Sequence, residues 1–319
     1  MRAVRNTEQG VTVVDVPAPE GLTAPVQELL PDDPGARVRV RSAGICGSDL
    51  HMLGFGPSAV TLGHEFAGLL DDGTPVAVEP LVTSSEADRL GTYATSPQTT
   101  VIGVAHDGGM ADEVLVPRRS LVPLPLGVPA SDACLAEVVA VGIRGLSRLP
   151  LTSGVRVAVV GAGAIGLCAG AAARARGCDV DVVARHDGQC AAAERLGLGR
   201  APAGEYDVVI EAAGTASGLE TAVGLARREG TLLLLGIYWE GMTLPGFAVL
   251  EKQLHFVASV IYGRNAAGRD IDAAVGLLAG VPELAPALIT HRFPLEDAAH
   301  AFSVAADRGS GAIKVVLEP

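Results

Sequence analysis

A glycine-rich turn near the middle of the chain lies between an apolar run and an alanine-rich segment. The run VRVAVV (155–160) leads directly into GAGAIG (161–166), and helix-like sequence follows. A GxGxxG motif alone is weak evidence, but a strand before it and a helix after it are the context of a dinucleotide-binding turn. There Gly161 would allow the tight turn, Gly163 would let the backbone approach a pyrophosphate, and Gly166 would permit close packing of helix and strand.

Strand-like and helix-like sequence continues to alternate beyond this turn. Apolar runs that are typical of buried strands occupy 155–160, 180–184, 206–214, 231–237 and 254–260. Helix-like segments occupy 164–176, 188–196, 217–228 and 269–279. Because continuous apolar strands separated by helices are typical of a parallel sheet covered on both faces, the pattern predicts an α/β fold.

The end of the second predicted strand indicates which dinucleotide would bind. Chains that prefer NAD usually carry an acidic residue about 20 residues beyond the turn, where it binds the ribose hydroxyl. Ala184 and Arg185 stand at this position, and a guanidinium suits a 2′-phosphate. NADP(H) is therefore favoured over NAD(H), with an NAD site that uses Asp187 or backbone groups as the alternative. The predicted cofactor-binding residues are Gly161, Gly163, Ala164, Ile165, Gly166, Ala184, Arg185, Ala213, Gly236 and Ile237.

The first part of the chain predicts short strands and loops. Strand-like segments lie at 37–41, 74–79 and 113–117. The first of these alternates arginine and valine with the period of two expected of a half-buried strand. A helix is predicted over 132–149, with Ser131 as its N-cap. Near the end of the chain, 295–306 predicts a short amphipathic helix and 312–317 an apolar strand that could return to the first domain.

Two short motifs in this first part, GICGSDLH (44–51) and GHEFAG (63–68), contain side chains that can bind a metal. Zinc prefers Cys, His and carboxylate ligands, and a catalytic zinc keeps one position open for water or substrate. The candidate ligands are Cys46, His64, Glu65 and Glu137. Each alone has an ordinary explanation, as a core thiol, a satisfied imidazole or a salt-bridge partner. Their joint occurrence predicts a zinc site.

A proton path could run beside this site. When an alcohol becomes a carbonyl its hydroxyl proton must leave, and zinc lowers the pKa of a bound oxygen to roughly 7. Ser48 could accept that proton, and His51 could pass it outward by way of the cofactor ribose hydroxyl. Asp49 could hydrogen-bond His64 from behind. Turn capping is the ordinary explanation for Ser48 and Asp49.

Together these motifs resemble the zinc-dependent medium-chain alcohol dehydrogenases, in particular the branch of sorbitol, threonine and butanediol dehydrogenases. The similarity extends over nearly the whole chain, through HDGGMADEVLVP (106–117), DACLAEVVAVGI (132–143), VVIEAAG (208–214) and ITHRFPLEDAAHAF (289–302). The resemblance implies a GroES-like β-rich catalytic domain, residues 1–136 and 281–319, and a Rossmann doubly wound parallel-sheet domain, residues 137–280. It places the active site in the cleft between them.

The resemblance also implies roles for individual residues. Cys46 and His64, with Glu65 or Glu137, would bind one catalytic zinc, and the two glutamates can trade places on the metal during turnover. The residues expected to act in catalysis are Ser48, His51 and Glu65. The expected partner is a small-molecule alcohol or ketone.

The chain departs from the family's pattern where many members bind a second, structural zinc. Those members carry four closely spaced cysteines after the segment equivalent to 76–80, but the stretch 81–100 contains no cysteine. Ser84, Ala87 and Leu90 stand about where three of the four would be. We therefore expect no structural zinc.

Two loops are trimmed relative to the family, 52–62, which lies beside the expected active site, and 69–74. A shorter rim predicts a more open substrate cleft. Because the missing zinc lobe often helps subunits to associate, we expect a homodimer rather than a tetramer. Tyr262 stands where polyol dehydrogenases place a substrate-binding arginine, which argues against a sugar polyol as substrate.

Composition limits the partners and the compartment. The 319 residues carry a net charge of −12, which argues against nucleic acid or an anionic membrane surface as a partner. Five cysteines without framework spacing and a start without an apolar signal-peptide core favour the cytoplasm. The uncharged stretch 157–173 contains four glycines, and we interpret it as strand, turn and half a helix rather than a membrane span.

The leading hypothesis is an enzyme that transfers a hydride between NADP(H) and a secondary alcohol or ketone. One alternative is a zinc-free quinone or enone reductase of the same fold, against which Cys46 and His64 argue. The other is a non-catalytic nucleotide-binding protein.

Overall fold

The computed structural model describes residues 1–84, 96, 98–239, 241–265 and 267–319, and only the backbone of Asn265. Ala87 and Leu90, two positions on which the expected absence of structural zinc depends, lie outside these residues.

The secondary structure elements are numbered in chain order. The strands are β1 (Arg2–Thr7), β2 (Gly10–Asp15), β3 (Ala36–Gly44), β4 (Glu65–Leu69), β5 (Pro75–Val78), β6 (Leu81–Thr83), β7 (Thr99–Val101), β8 (Glu113–Val116), β9 (Leu121–Pro123), β10 (Arg156–Val160), β11 (Asp179–Val183), β12 (Gly199–Arg200), β13 (Tyr206–Glu211), β14 (Ala226–Leu234), β15 (His255–Ala258), β16 (Arg264–Asn265), β17 (Gly268–Arg269), β18 (Ile289–Pro294) and β19 (Lys314–Glu318). The α-helices are α1 (Ala24–Leu29), α2 (Gly47–Met52), α3 (Leu135–Ser147), α4 (Ala164–Ala175), α5 (Asp187–Arg195), α6 (Ala216–Leu225), α7 (Gly246–Lys252), α8 (Asp270–Gly280), α9 (Leu284–Leu288) and α10 (Ala298–Ala306). Short 3-10 helices occupy Leu53–Phe55, Arg118–Ser120 and Leu295–Asp297.

These elements form two compact units. The first unit comprises Met1–Glu137, Gly263–Gly280 and Ile289–Pro319, and the second comprises Val138–Tyr262 and Val281–Leu288.

The predicted domain boundaries differ from these units at Glu137, which belongs to the first unit, and in two longer segments. Residues 263–280 belong to the first unit, in which Arg269 Nη1 lies 3.2 Å from Glu79 Oε2. Residues 281–288 belong to the second unit, where α9 packs against α4 and α5. Both segments are assigned to their units by contacts between residues far apart in the sequence, which the local apolar pattern cannot predict.

The first unit is built on a mainly antiparallel sheet. Its strand order is β18-β19-β3-β4-β5-β9, and β8 also pairs with β3. In β3 the predicted alternation is confirmed, because Val38 and Val40 are buried in the core while Arg39 and Arg41 are exposed. The valines pack in one cluster with Phe66 of β4 and Phe302 of α10.

The second unit is a parallel sheet of six strands in the order β12-β11-β10-β13-β14-β15. The first strand, β10, lies inside the sheet, and the chain adds strands first to one side of it and then to the other. In sheets of this kind, ligands bind outside the carboxyl ends of the strands where the order changes direction. That point lies between β10 and β13.

Two predicted helix boundaries were wrong. The helix expected over 132–149 begins at Leu135, and Ser131 does not cap it, because turns precede the helix. The helix expected over 217–228 ends at Leu225. Lys252 Nζ donates hydrogen bonds to the carbonyls of Val223, Gly224 and Ala226 at that end. The chain then enters β14 directly.

The uncharged stretch 157–173 forms most of β10, the glycine turn and most of α4, as predicted. None of the helices in the described part of the chain has both the length and the apolar character needed to cross a membrane.

Candidate functional site

Cys46 lies at the start of α2, immediately after β3. Its backbone N–H donates to Asp49 Oδ2 at 2.9 Å, and its own sulfur accepts from the Asp49 backbone, which together form a capping box. Such reciprocal bonds satisfy two N–H groups that a helix start otherwise leaves unpaired. The thiol is therefore held by the first turn of a short helix.

His64 follows a glycine that the fold requires. Gly63 has a φ of +101°, and a Cβ there would lie 2.6 Å from Met110 Cγ. Side chains at Gly103 or Gly108 would overlap the carbonyl of Gly63. Because a left-handed conformation and close backbone packing both favour glycine, the three glycines fix the path of the chain into His64.

The imidazole of His64 is oriented by its neighbours. Its Nδ1 lies 3.3 Å from Asp49 Oδ1, and its Nε2 lies 3.5 Å from Ser48 Oγ. The contact with Asp49 is an ion pair when the imidazole is protonated. Burial disfavours the charged imidazolium, but Asp49 and Cys46 together raise the pKa of His64 well above its ordinary value.

Three potential metal ligands converge at this point. Ligand atoms of Cys46, His64 and Glu65 all lie within 4.8 Å of one another. Ligands around a tetrahedral zinc are roughly 3–4 Å apart, so the cluster is close to the size that one ion needs. Sulfur, imidazole and carboxylate are also a donor set that zinc prefers. With Asp49 behind the imidazole, as metal-binding histidines commonly have, these residues fit a zinc ion.

Glu65 also forms a buried ion pair that the sequence analysis missed. Lys314 Nζ of β19 lies 2.6 Å and 2.8 Å from the two carboxylate oxygens of Glu65, and it donates to Ile45 O at 3.0 Å. Both side chains are almost fully buried. Burial alone would lower the pKa of Lys314, but the negative charge of Glu65 raises it. The one available signal was a lysine at the start of an otherwise apolar strand, in a chain with only two lysines.

Glu137 lies in the first turn of α3 and is largely buried. It is not part of the three-residue cluster, although the charges of His64, Glu65 and Lys314 act on it. Burial is the main reason that its pKa is raised to about 7. The structure therefore holds a second carboxyl group near the cluster, and the choice between Glu65 and Glu137 as ligand stays a prediction.

His51 lies in the last turn of α2, one helical turn beyond Ser48. Its ring makes an edge-on contact with the ring of Phe55, with centroids 5.4 Å apart. The order of proton transfer from Ser48 to His51 stays a prediction.

In the second unit, the glycine turn lies at the carboxyl end of β10. Gly161 has a φ of +106°, and a Cβ there would lie 2.7 Å from the backbone nitrogen of Ala213. A side chain at Gly166 would overlap the carbonyl of Gly161. Helix α4 then begins with Gly163 as its N-cap, so the turn brings a helix N-terminus to the place where a phosphate is expected to bind.

The other predicted cofactor residues lie at the carboxyl ends of the neighbouring strands. Ala184 lines a groove with Cys190 and Arg200 at the end of β11. The side chain of Arg185 is exposed, and its Nη2 donates to Ser217 Oγ at 3.2 Å. Ala213, Gly236 and Ile237 follow β13 and β14.

Comparison with known proteins agrees with this geometry. Residues 32–126 match the family described as "Alcohol dehydrogenase GroES-like domain", and residues 143–318 match "Glucose dehydrogenase C-terminus". L-galactonate-5-dehydrogenase of Escherichia coli strain K12 is 29% identical over 306 residues, which cover 86% of this chain and 88% of that protein.

Two solved structures are similar over the whole chain. Galactitol-1-phosphate dehydrogenase from Escherichia coli has 28% identity and a TM-score of 0.85, with all of both chains covered. An NADP-bound protein from Sinorhizobium meliloti 1021, described as a zinc-binding dehydrogenase, has 27% identity and a TM-score of 0.84, with 100% of this chain and 99% of that chain covered.

With one family model covering more than half of the chain and a GroES-like model covering much of the rest, the chain belongs to the zinc-type medium-chain dehydrogenase family. It is an alcohol oxidoreductase of that class.

The Lys314–Glu65 pair gives a stability prediction. Lys314→Met leaves a buried carboxylate without its cation, so we expect it to lower the free energy of unfolding of the metal-free protein by about 3–5 kcal/mol. Lys252→Met, which removes a half-buried lysine bound only to carbonyls, should cost about 1 kcal/mol. Urea denaturation in a chelator measures both.

The double variant Lys314→Met/Glu65→Gln serves as the control, because it removes both charges. It should recover a large part of the loss. The ion-pair interpretation would be contradicted if the double variant were as unstable as Lys314→Met. It would also be contradicted if Lys252→Met and Lys314→Met lowered the free energy of unfolding equally.

Proposed function

We propose that the protein is a zinc-dependent dehydrogenase that transfers a hydride between NADP(H) and a secondary alcohol or ketone. The observation that carries this proposal is the convergence of Cys46, His64 and Glu65, with ligand atoms within 4.8 Å of one another. The dinucleotide turn in the second unit supports the hydride carrier, and the names of the relatives support the substrate class.

The residues that would hold the ion are Cys46, His64 through Nε2, and one of the carboxylates Glu65 and Glu137. Bound zinc supplies a Lewis acid that polarises the substrate oxygen and lowers its pKa. Asp49 faces Nδ1 of His64 and keeps Nε2 turned toward the cluster. Lys314 Nζ holds Glu65 in place by bonding both of its carboxylate oxygens. The catalytic role of Glu65 would be to exchange with Glu137 as a ligand of the ion.

Two further residues would carry the proton. Ser48 Oγ lies beside the Nε2 side of the imidazole, where a substrate hydroxyl would have to lie, and it would accept the hydroxyl proton during oxidation. His51, one helical turn later, would carry the proton onward to solvent. Reduction of a ketone would use the same groups in reverse.

NADP(H) is the proposed hydride carrier. Ala184 offers no carboxylate to repel a 2′-phosphate, and the exposed guanidinium of Arg185 lies within reach of the same strand end. The structural relative from Sinorhizobium meliloti binds NADP. The alternative is an NAD site that uses Asp187, at the start of α5.

The zinc proposal is tested by Cys46→Ser. We expect the wild-type protein to retain about one zinc ion per chain after dialysis, because three protein ligands bind catalytic zinc tightly. Cys46→Ser should lose the zinc and the alcohol-dependent reduction of NADP⁺. Elemental analysis and NADPH absorbance measure the two.

Cys178→Ser is the matched control, since Cys178 is a buried free thiol in the second unit. It should keep both zinc and activity. Full activity of Cys46→Ser on quinones or enones would instead favour the zinc-free reductase, and tight NADPH binding without any turnover would favour a non-catalytic nucleotide-binding protein.

The cofactor proposal is tested by Arg185→Ala. Removing the guanidinium should weaken NADPH binding by about tenfold or more, which is the loss of one charge-assisted contact to phosphate. NADH binding should change little. Fluorescence titration of both cofactors measures this, with Arg195→Ala on α5 as the control. A wild-type protein that prefers NADH would show that Asp187 or backbone groups read the ribose.

We infer that the protein forms a homodimer through the second unit. Strand β15 is at one edge of the six-stranded sheet, and an unpaired edge can add a strand from another chain. The segment around it exposes large apolar side chains, which often marks an association surface. These are Ile237, Trp239, Met242, Leu244, Phe247, Leu250 and Val260. A second copy of this chain would offer the same edge and the same apolar surface.

Light scattering after size-exclusion chromatography tests the dimer. Phe247→Asp, at a side chain that is 81% exposed, should yield a monomer because it buries a charge in the interface. Leu126→Asp, at a fully exposed leucine in the first unit, should remain dimeric. A monomeric wild-type protein, or two variants that behave alike, would refute the proposed surface.

We also propose the cytoplasm as the compartment. The five cysteines lack the spacing of a disulfide framework, and this usage is typical of a reducing environment.

A further inference from the structure

Glu211 is a fully buried carboxylate at the end of β13 that the proposed chemistry does not use. Its Oε1 accepts hydrogen bonds from the backbone nitrogens of Ala213 at 2.9 Å and Gly214 at 3.1 Å. Its Oε2 accepts a hydrogen bond from the hydroxyl of Tyr238 at 2.6 Å. These donors are all neutral, and a buried carboxylate needs such donors to offset its loss of water.

The same residue also holds the loop that follows the neighbouring strand. The backbone nitrogens of Leu235 and Gly236 donate to the carbonyl of Glu211 at 2.8 Å and 3.0 Å. Together with the Tyr238 hydroxyl, these bonds connect the end of β13 to the loop after β14 through both the backbone and the side chain of Glu211.

The glycines around this connection have no room for a side chain. A Cβ at Gly236 would lie 2.5 Å from Glu211 Oε2, and a Cβ at Gly218 would lie 2.7 Å from Glu211 Oε1. A Cβ at Gly161 would lie 2.7 Å from the backbone nitrogen of Ala213. The loops after β10, β13 and β14 are therefore packed at backbone distance, and Glu211 is the charged group at their centre.

This position in the sheet is the one where a dinucleotide binds. The strand order changes direction between β10 and β13, and a doubly wound sheet consists of two halves that each take one mononucleotide. The half that starts at β10 carries the glycine turn for the pyrophosphate and the Ala184–Arg185 end for the adenosine ribose. The half that starts at β13 is left for the nicotinamide nucleotide.

We propose that Glu211 and Tyr238 are positioning residues that hold the loops 212–214 and 235–237 in place for the nicotinamide half of the cofactor. The proposal rests on the proposed NADP(H)-dependent function and adds to it two residues that touch no reacting atom. It predicts that their loss affects one half of the cofactor and spares the other.

The test compares NADPH with adenosine 2′,5′-bisphosphate, which lacks the nicotinamide half. Titration calorimetry on the full-length protein measures both dissociation constants. Glu211→Gln should weaken NADPH binding by about tenfold and Tyr238→Phe by about fivefold, within the range expected for hydrogen bonds to a charged group. Binding of the bisphosphate should stay within about twofold of the wild type, because its site lies in the other half of the sheet.

Tyr206→Phe is the matched control. The hydroxyl of Tyr206 also donates to a carboxylate, Asp181 Oδ2 at 2.7 Å, but Tyr206 lies at the start of β13, the end opposite to Glu211. This variant should lower the unfolding midpoint and leave both dissociation constants unchanged, which separates positioning from a general loss of stability.

The proposal is overturned if Glu211→Gln and Tyr238→Phe weaken both ligands to the same extent, if neither weakens NADPH binding, or if Tyr206→Phe reproduces their effect. A wild-type protein that binds neither NADPH nor NADH overturns the proposed function itself. That result is obtained without the variants, so the two failures can be told apart. If the wild type prefers NADH, the same comparison with NADH and AMP decides the question.

Discussion

The buried ion pair between Glu65 and Lys314 is the interaction on which the candidate zinc site depends. It joins the start of β4 to the start of β19. Moving a carboxylate out of water costs several kcal/mol unless a cation and hydrogen bonds are supplied, and Lys314 supplies the cation. Without it, Glu65 would lie buried beside Cys46 and His64 without the cation that now bonds both of its carboxylate oxygens.

Close backbone packing at glycine is the second constraint, and it acts in both units. Gly63 and its neighbours fix His64 in the first unit, and Gly161 approaches Ala213 in the second. Compared with other residues, glycine lowers the free energy of unfolding because it gives the unfolded chain more conformational entropy. In both candidate sites glycine occurs where backbone atoms must come close to a functional side chain or to a ligand phosphate.

Local motifs explain what the sequence could predict. Cys46, Ser48 and Asp49 share one helical turn, and the GxGxxG turn has its strand and helix on either side, so short windows sufficed for both candidate sites and for the α/β sheet. Lys314 was missed because it is 249 residues from Glu65, and no window spans that separation. Arg269 with Glu79 and Tyr238 with Glu211 were missed for the same reason, and the first of these pairs joins residues 263–280 to the first unit.

The charges of the candidate zinc site favour the binding of a divalent cation. Asp49, Glu65 and Glu137 are buried near one another, and Lys314 and His64 are the cations set against them. Lys314 is engaged by Glu65 and His64 faces Asp49, so Glu137 is the carboxyl group without a dedicated cation, which agrees with its pKa of about 7. A thiolate at Cys46 would add one more negative charge. Groups that bind a metal must give up their protons to do so. The site has one more acidic group than it has cations, and a divalent ion would balance that charge.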